Sequence, residues 1–228
     1  MITVKNNIFQ GMIDILPLAI SVVPWGILCG TISVDIGFNF WQAQAMSMFV
    51  FAGAAQLSAM ALITSGAGLI PISSSVFAIS SRHLLYCVDL RKDVHELPLK
   101  WRIPLAFFLT DEVYAITKSY IHKYDIFSPI YSLTAGIIFY LIWNLSTFAG
   151  IMLGQNINNI DKLGLDFAIV AVFIAITAPH LKNLPMLITA LVSAISAIYF
   201  KSIYPDIYIV IAALIGMTAG YIASEIFE

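Results

Sequence analysis

The chain has 228 residues, of which 60% are apolar and only 11% are charged, with 11 Lys and Arg against 13 Asp and Glu. Soluble domains are about 45–50% apolar and roughly 25% charged, so this composition excludes a water-soluble fold and predicts an integral membrane protein. A net charge of −2 at pH 7, without a Lys- or Arg-rich block, excludes nucleic acid as the main partner.

Eight apolar segments are separated by polar breaks along the chain. In order they are Ile13–Val34, Trp41–Thr64, Gly68–Val88, Arg102–Ile121, Ser128–Leu153, Leu165–Ala178, Leu184–Phe200 and Ile207–Ile226. About 20 apolar residues make one helical crossing of a bilayer, and continuous apolar runs favour helices over the alternating strands of a barrel. The sequence predicts an all-α integral membrane protein with about seven to eight transmembrane helices, forming one transporter domain over residues 1–228.

Proline interrupts one apolar segment early in each half of the chain. Pro17 and Pro24 lie in the first segment, while the short sixth segment ends at Pro179 and is followed by Pro185. Broken helices of this kind are typical of transporter binding sites, because they free backbone groups and direct helix ends at a ligand. Ordinary proline kinks, which membrane helices tolerate, explain the pattern equally well. Some of the predicted helices are therefore expected to be broken or re-entrant.

The longest loop, Asp89–Trp101, is rich in basic residues. Together with the residue that follows, it contributes Arg91, Lys92, Lys100 and Arg102. The positive-inside rule predicts that this loop faces the cytoplasm. The N-terminus then lies outside if the first three segments all span, whereas Lys5 favours the inside, which leaves open that one of the three is re-entrant.

Small residues recur every fourth position in two segments. They are Ser146, Gly150 and Gly154 in the fifth segment, and Ala212, Gly216, Gly220 and Ser224 in the last. Such a stripe lets two helix backbones approach closely in lipid. Packing within the chain is the simpler interpretation, and the last stripe is also a candidate contact for a partner subunit.

Two adjacent acids, Asp111 and Glu112, lie near the middle of the fourth segment, where each costs on the order of 3 kcal/mol. Either they belong to an ion or substrate pathway and are stabilised by a proton, a cation or a water-filled cavity. Or Thr110 caps a new helix at the membrane surface, with Ile103–Leu109 in the interface. We predict the pathway, in which one of the acids carries a proton during transport.

Arg82 and His83 lie near the end of the third segment. Arg82 either binds a carboxylate, from a substrate or from Asp111 or Glu112, or extends towards the basic loop. His83 either carries a proton near neutral pH or is a hydrogen-bonded core residue.

Two neutral amides, Gln56 and Asn144, lie inside apolar segments. Each is able to bind an amino or carboxyl group of a substrate, although joining two helices is the simpler role. The two cysteines, Cys29 and Cys87, have no second Cys or nearby His at metal-ligand spacing and are interpreted as small core residues.

Catalytic and cofactor motifs are missing from the sequence. It contains no GxxxxGK[ST] for nucleotide phosphates, no HExxH for zinc and no GxSxG elbow. We therefore predict that the protein is not an enzyme and has no cofactor or metal site, and that a gradient supplies the energy for transport.

Four motifs resemble a known family when taken in order and spacing. They are Phe51-Ala-Gly-Ala-Ala-Gln56, Arg82-His83-Leu84-Leu85-Tyr86, Leu109-Thr110-Asp111-Glu112 and Leu163-Gly-Leu-Asp166-Phe167-Ala168. This set is similar to the AzlC family, the large subunit of two-component branched-chain amino acid exporters of bacteria and archaea. The chain departs from the family at Ser80-Ser81, where an Asn is expected shortly before the Arg-His pair.

The resemblance implies a multi-pass permease of the inner membrane that exports leucine, isoleucine and valine together with a small AzlD-type membrane subunit. Arg82 or the N-terminus of a broken helix would bind the carboxylate of such a zwitterion, and Asp111 or Glu112 its ammonium group; the two carboxyls are also the candidates for proton coupling. One alternative is a passive channel for a small neutral solute, with the acids at its constriction. Another is a purely structural subunit of a membrane complex.

Overall fold

The structure, a computed structural model, describes residues 4–156, 174, 181, 183–205 and 207–227. Within these residues every regular element is an α-helix, which confirms the predicted all-α class. The helices are α1 (Val4–Ser21), α2 (Val23–Asp35), α3 (Phe40–Val50), α4 (Gly53–Thr64), α5 (Leu69–Ser80), α6 (Arg82–Asp89), α7 (Arg91–Val94), α8 (Leu99–Phe107), α9 (Asp111–Tyr124), α10 (Pro129–Asn156), α11 (Leu184–Lys201) and α12 (Tyr208–Phe227).

Three of the described helices, α10, α11 and α12, are long and apolar enough to cross a membrane. The pair α1 and α2 passes the same test as one span bent by 51°. The longest helix, α10, has 28 residues and is about 42 Å long at 1.5 Å per residue. The predicted count of seven to eight crossings stays a prediction.

The bend between α1 and α2 confirms the predicted interruption of the first segment. α2 begins at Val23, with Pro24 in its first turn. Proline is tolerated there because the N–H groups of a first turn have no hydrogen-bond partner within their own helix. The predicted interruption at Pro179 lies outside the described residues. Pro185 lies in the first turn of α11, which Asn183 caps by accepting a hydrogen bond from the Met186 N–H at 3.1 Å.

Three other segments are broken where the apolar pattern predicts continuous helices. The second breaks between α3 and α4 at Phe51, whose φ of 36° and ψ of 45° are left-handed. The third breaks between α5 and α6 at Ser81, and the fourth breaks between α8 and α9 at residues 108–110. At Phe51 the physical reason is tertiary, because its ring packs 4.9 Å from the Tyr140 ring and 6.0 Å from that of Phe139.

The described residues belong to two compact units. The first comprises Met1–Gly53 and Ser80–Asn156 and is built around α10. α1 and α2 both pack against this helix. A Cβ added at Gly30 would meet the Thr147 carbonyl, and one added at Gly150 would meet the Ile27 carbonyl, so the helix backbones are in close contact there. The Thr31 hydroxyl donates a hydrogen bond to the Gly150 carbonyl at 3.2 Å. The small-residue stripe of the fifth segment therefore packs within the chain.

The second unit comprises Ala54–Ile79 and Ile157–Glu228. Its helices α11 and α12 pack closely and run antiparallel, with Gly216 against Ser193 and Gly220 against Thr189. The last small-residue stripe is therefore internal packing along at least these two glycines. In the same unit the Ser58 and Ser75 hydroxyls of α4 and α5 hydrogen bond at 2.7 Å.

Candidate functional site

An ion pair joins the first residues of α6 and α9. Arg82 Nη1 lies 2.9 Å from Asp111 Oδ2, and the two side chains are 41% and 36% exposed. Of the two carboxylates predicted to bind Arg82, the structure therefore selects Asp111. Both side chains are partly exposed. They lie at the breaks in the third and fourth predicted segments, where α6 and α9 begin.

The Asp111 carboxylate has further polar neighbours on α6. His83 Nε2 lies 3.8 Å from Asp111 Oδ1, and the His83 ring packs edge to face against the Tyr86 ring, with centroids 5.9 Å apart. Among the described residues, Asp111 Oδ1 and Arg82 Nε are buried without a hydrogen-bond partner. The site thus keeps one donor and one acceptor unused, and a buried polar atom without a partner is costly unless a ligand or water satisfies it.

Glu112 is oriented differently from its neighbour. It is the second residue of α9, and the Thr110 hydroxyl accepts a hydrogen bond from the Val113 N–H at 3.4 Å, so Thr110 caps the helix. The two acids occupy the first turn of a new helix, where the helix dipole favours a carboxylate. The expectation that they lie in the middle of a continuous helix is wrong, because the chain turns at residues 108–110.

A second ion pair lies further along the same two helices. Lys118 Nζ is 2.8 Å from Asp89 Oδ2, and the Tyr114 hydroxyl donates to the same oxygen at 2.9 Å. These two hydrogen bonds hold the pKa of the Asp89 carboxyl below its usual value. Between the ion pairs the rings of Tyr86 and Tyr114 stack, with centroids 4.3 Å apart and planes within 13°.

We call this arrangement the polar ladder. It consists of Arg82, Tyr86 and Asp89 on α6 and Asp111, Tyr114 and Lys118 on α9. The contacts advance in the same direction along both helices, so the two helices run parallel. Sequence reasoning missed four of the six members, although their spacings of four and three residues, and of three and four, place each set on one helix face.

The two amides lie in different units. The Asn144 amide accepts a hydrogen bond from Gln44 Nε2 at 3.0 Å and donates one to the Tyr140 carbonyl at 2.9 Å. Asn144 therefore joins α3 to α10, as the simpler interpretation predicted. Gln56 lies on α4 in the second unit and is 1% exposed.

The two cysteines differ in exposure. Cys29 is buried, as predicted, but Cys87 is exposed, so its interpretation as a core residue is wrong. Within the part of the chain that the structure describes, no group of three or more His, Cys, Asp and Glu side chains is arranged to hold a metal ion.

Comparison with known proteins gives one family and several membrane-protein relatives. The family described as "AzlC protein" matches residues 17–157. Two uncharacterised membrane proteins from two strains of Helicobacter pylori are each 24% identical to the chain. One alignment covers 193 residues, 84% of this chain and 83% of the relative, and the other covers 222 residues, 95% and 96%.

A third relative is named "Inner membrane protein YgaZ" and comes from Escherichia coli K12. It is 34% identical over 107 residues, which are 46% of this chain and 44% of the relative. No solved structure matches the chain. With the apolar helices described above, these similarities identify the chain as a membrane protein.

Proposed function

This chain belongs to the AzlC family of branched-chain amino acid transport, and we propose that it is a secondary transporter that exports branched-chain amino acids across the inner membrane. Export is driven by the proton gradient and requires a small AzlD-type membrane subunit. Membership of the family and the inner-membrane relative support the membrane transport role.

The ion pair of Arg82 and Asp111 is the observation that carries the proposal. An amino acid zwitterion presents a carboxylate and an ammonium group, and it replaces this internal pair charge for charge. The Arg82 guanidinium binds the carboxylate in a two-pronged geometry, while the Asp111 carboxylate binds the ammonium group. Because both charges of the pair are re-paired on binding, the substrate enters without leaving an isolated charge in a low dielectric.

Proton coupling follows from the same carboxylate. Protonation of Asp111 removes its negative charge, which breaks both the ion pair with Arg82 and the contact with a bound ammonium group. The 3.8 Å distance between His83 Nε2 and Asp111 Oδ1 supports a role for His83 in holding or releasing that proton. Glu112 is assigned no coupling role in this proposal, because it lies beside Asp111 in the first turn of α9, which Thr110 caps.

A transport assay tests the proposal on the protein co-expressed with its candidate small subunit and reconstituted in liposomes. We expect saturable movement of radiolabelled leucine that accelerates with an imposed pH gradient. Asp111→Asn should abolish the gradient-driven component while leaving the protein folded and inserted. Asp125→Asn, at the other end of α9, makes the same chemical change outside the polar ladder and should transport normally.

The outcomes separate the alternatives. Transport by Asp111→Asn at the normal rate and with normal pH dependence would show that this carboxyl is not the coupling site. Flux that neither saturates nor responds to the gradient would instead favour a passive channel. Glu112→Gln is expected to keep coupled transport, and loss in that variant alone would move the coupling role from Asp111 to Glu112.

The proposal also includes the complete membrane architecture. We propose seven to eight crossings within one transporter domain over residues 1–228, several of them made of two short helices in sequence, such as α8 with α9. Reporter fusions placed after each apolar segment test the count. Co-purification with the product of the neighbouring reading frame tests the small subunit, and a single chain that transports leucine alone would overturn that part.

A further inference from the structure

A cavity of about 530 Å³ lies in the first unit and is lined in part by the basic loop Asp89–Trp101. Its walls come from five elements, α6, α7, α8, α9 and α10. We call it the loop cavity. Its volume lies in the range of roughly 300–1,000 Å³ that is typical of small-molecule sites in proteins. The Arg82–Asp111 ion pair does not line it, so it is separate from the site proposed for the substrate.

The walls of the loop cavity are apolar and open to the outside. Leu84 and Val88 contribute from α6 and Leu99 and Ile103 from α8, and all four side chains are 57% or more exposed. An exposed, concave apolar surface of this kind is stabilised by an apolar occupant. Around a membrane protein, the abundant apolar molecules are lipids, whose acyl chains would fill such a surface.

Two arginines add positive charge to this apolar cavity. Arg91 and Arg102 line it, and neither has an ion-pair partner among the described residues. A guanidinium group binds phosphate oxygens with two parallel hydrogen bonds and keeps its charge at every physiological pH. Because the loop is predicted to face the cytoplasm, these arginines would lie at the depth of the lipid headgroups of that leaflet.

The same lining argues against an amino acid as the occupant. A zwitterion needs an acidic group for its ammonium, and the described residues that line the cavity include no Asp or Glu. The charge and shape instead suit a molecule with an anionic head and a long apolar part. We propose that the loop cavity binds an anionic glycerophospholipid, with one acyl chain between α6 and α8 and its phosphate on Arg91 and Arg102.

Cys87 provides a native reporter for this site. It lines the loop cavity and is exposed, whereas Cys29, the second cysteine of the chain, is buried. An acyl chain in the cavity should therefore shield Cys87 from alkylation by N-ethylmaleimide. In the purified protein in non-ionic detergent, we expect phosphatidylglycerol to slow this alkylation at a concentration at least about tenfold lower than phosphatidylcholine. Native mass spectrometry should show a retained phosphatidylglycerol molecule under the same conditions.

Two paired variants test the role of the arginines. Replacing Arg91 and Arg102 with Gln should remove the preference for phosphatidylglycerol. Replacing Lys92 and Lys100 with Gln removes the same charge from the same loop but not from the cavity lining, and should preserve the preference. None of the four side chains belongs to the polar ladder, so the result is independent of whether the protein transports leucine.

Several outcomes would overturn the proposal. Equal protection of Cys87 by the two lipids in the wild type would show that the site does not select an anionic head. An unchanged preference after both arginines are replaced would move the headgroup elsewhere. Protection by inorganic phosphate alone would identify a free-anion site, and protection by leucine would assign the cavity to the transported solute.

Discussion

Replacing Gly150 with alanine places one carbon atom where α10 and α2 touch backbone to backbone. The added Cβ would meet the Ile27 carbonyl oxygen, and would lie 2.8 Å from the carbonyl carbon of the same residue. Raising the separation from the carbonyl carbon to 3.4 Å, the start of ordinary contact, requires α2 to move by about 0.6 Å, and the closer carbonyl oxygen requires a larger movement. A backbone group has no side-chain rotation by which it can relieve the contact, so the helix itself must shift.

The energetic expectation combines opposing effects. Overpacking of this kind costs about 1–3 kcal/mol, and we expect the upper end because the contact is with backbone. The higher helix propensity of alanine offsets this by about 1 kcal/mol relative to glycine inside a helix. The Thr31 hydrogen bond to the Gly150 carbonyl, now 3.2 Å, stretches past bonding distance, but this hydroxyl keeps its bond to the Ile27 carbonyl at 2.9 Å. The net expectation is a loss of about 2 kcal/mol.

Cys29 reports this loss directly. It is buried on α2, one residue before Gly30, so reagents reach it only when α2 opens away from its neighbours. A destabilisation of about 2 kcal/mol corresponds to alkylation of Cys29 that is about 30-fold faster, with the exposed Cys87 as the internal reference. Pulsed alkylation followed by peptide mass spectrometry measures both rates in one sample.

The control is Gly68→Ala. An added Cβ there meets no heavy atom within 4 Å, so the alkylation rate of Cys29 should stay within about threefold of the wild type. If Gly150→Ala also left the Cys29 rate unchanged, the close approach of α2 and α10 would be refuted. Equal acceleration in both variants would attribute the effect to the loss of glycine rather than to the contact.

Three further predictions concern other parts of the chain. Gly216→Leu should disrupt the packing of α12 on α11 and increase the proteolysis of both helices even in the isolated chain; normal resistance would show that this glycine faces elsewhere. Phe51→Ala should cost about 3 kcal/mol through its lost ring contacts, yet Phe51→Gly should be no less stable than Phe51→Ala in thermal unfolding, because glycine adopts the left-handed conformation freely. Asp89→Asn should cost under about 1 kcal/mol, because its ion pair with Lys118 is half exposed. Since the pKa of Asp89 is lowered, the thermal difference from wild type should persist from neutral to mildly acidic pH and vanish only as the pH falls through that lowered pKa; a difference already lost near neutral pH would contradict this.

Composition and local pattern alone determined the class of the protein. A chain with 60% apolar and 11% charged residues lacks the polar surface of a water-soluble domain. In a membrane, continuous apolar runs form helices because each helix satisfies its own backbone hydrogen bonds. The bend at Pro24 was also predictable from the sequence, because a proline lacks the N–H that would hydrogen bond to the carbonyl four residues earlier, and this effect is local. The small-residue stripe around Gly150 was equally local, because close helix approach depends on the size of the residues on one face.

Only the tertiary structure decided which helices break and which polar groups meet. Phe51 belongs to a continuous apolar run, and the chain breaks there because the ring packs against residues distant in sequence, such as Tyr140. The sequence offered two adjacent carboxylates as partners for Arg82. The structure pairs it with Asp111, because the turn before α9 makes Asp111 the first residue of that helix. The contact between Asp89 and Lys118 depends on the parallel course of two helices that lie far apart in the sequence. Hydropathy and spacing report the face of a single helix, whereas partners across helices are decided by the packing that brings those faces together.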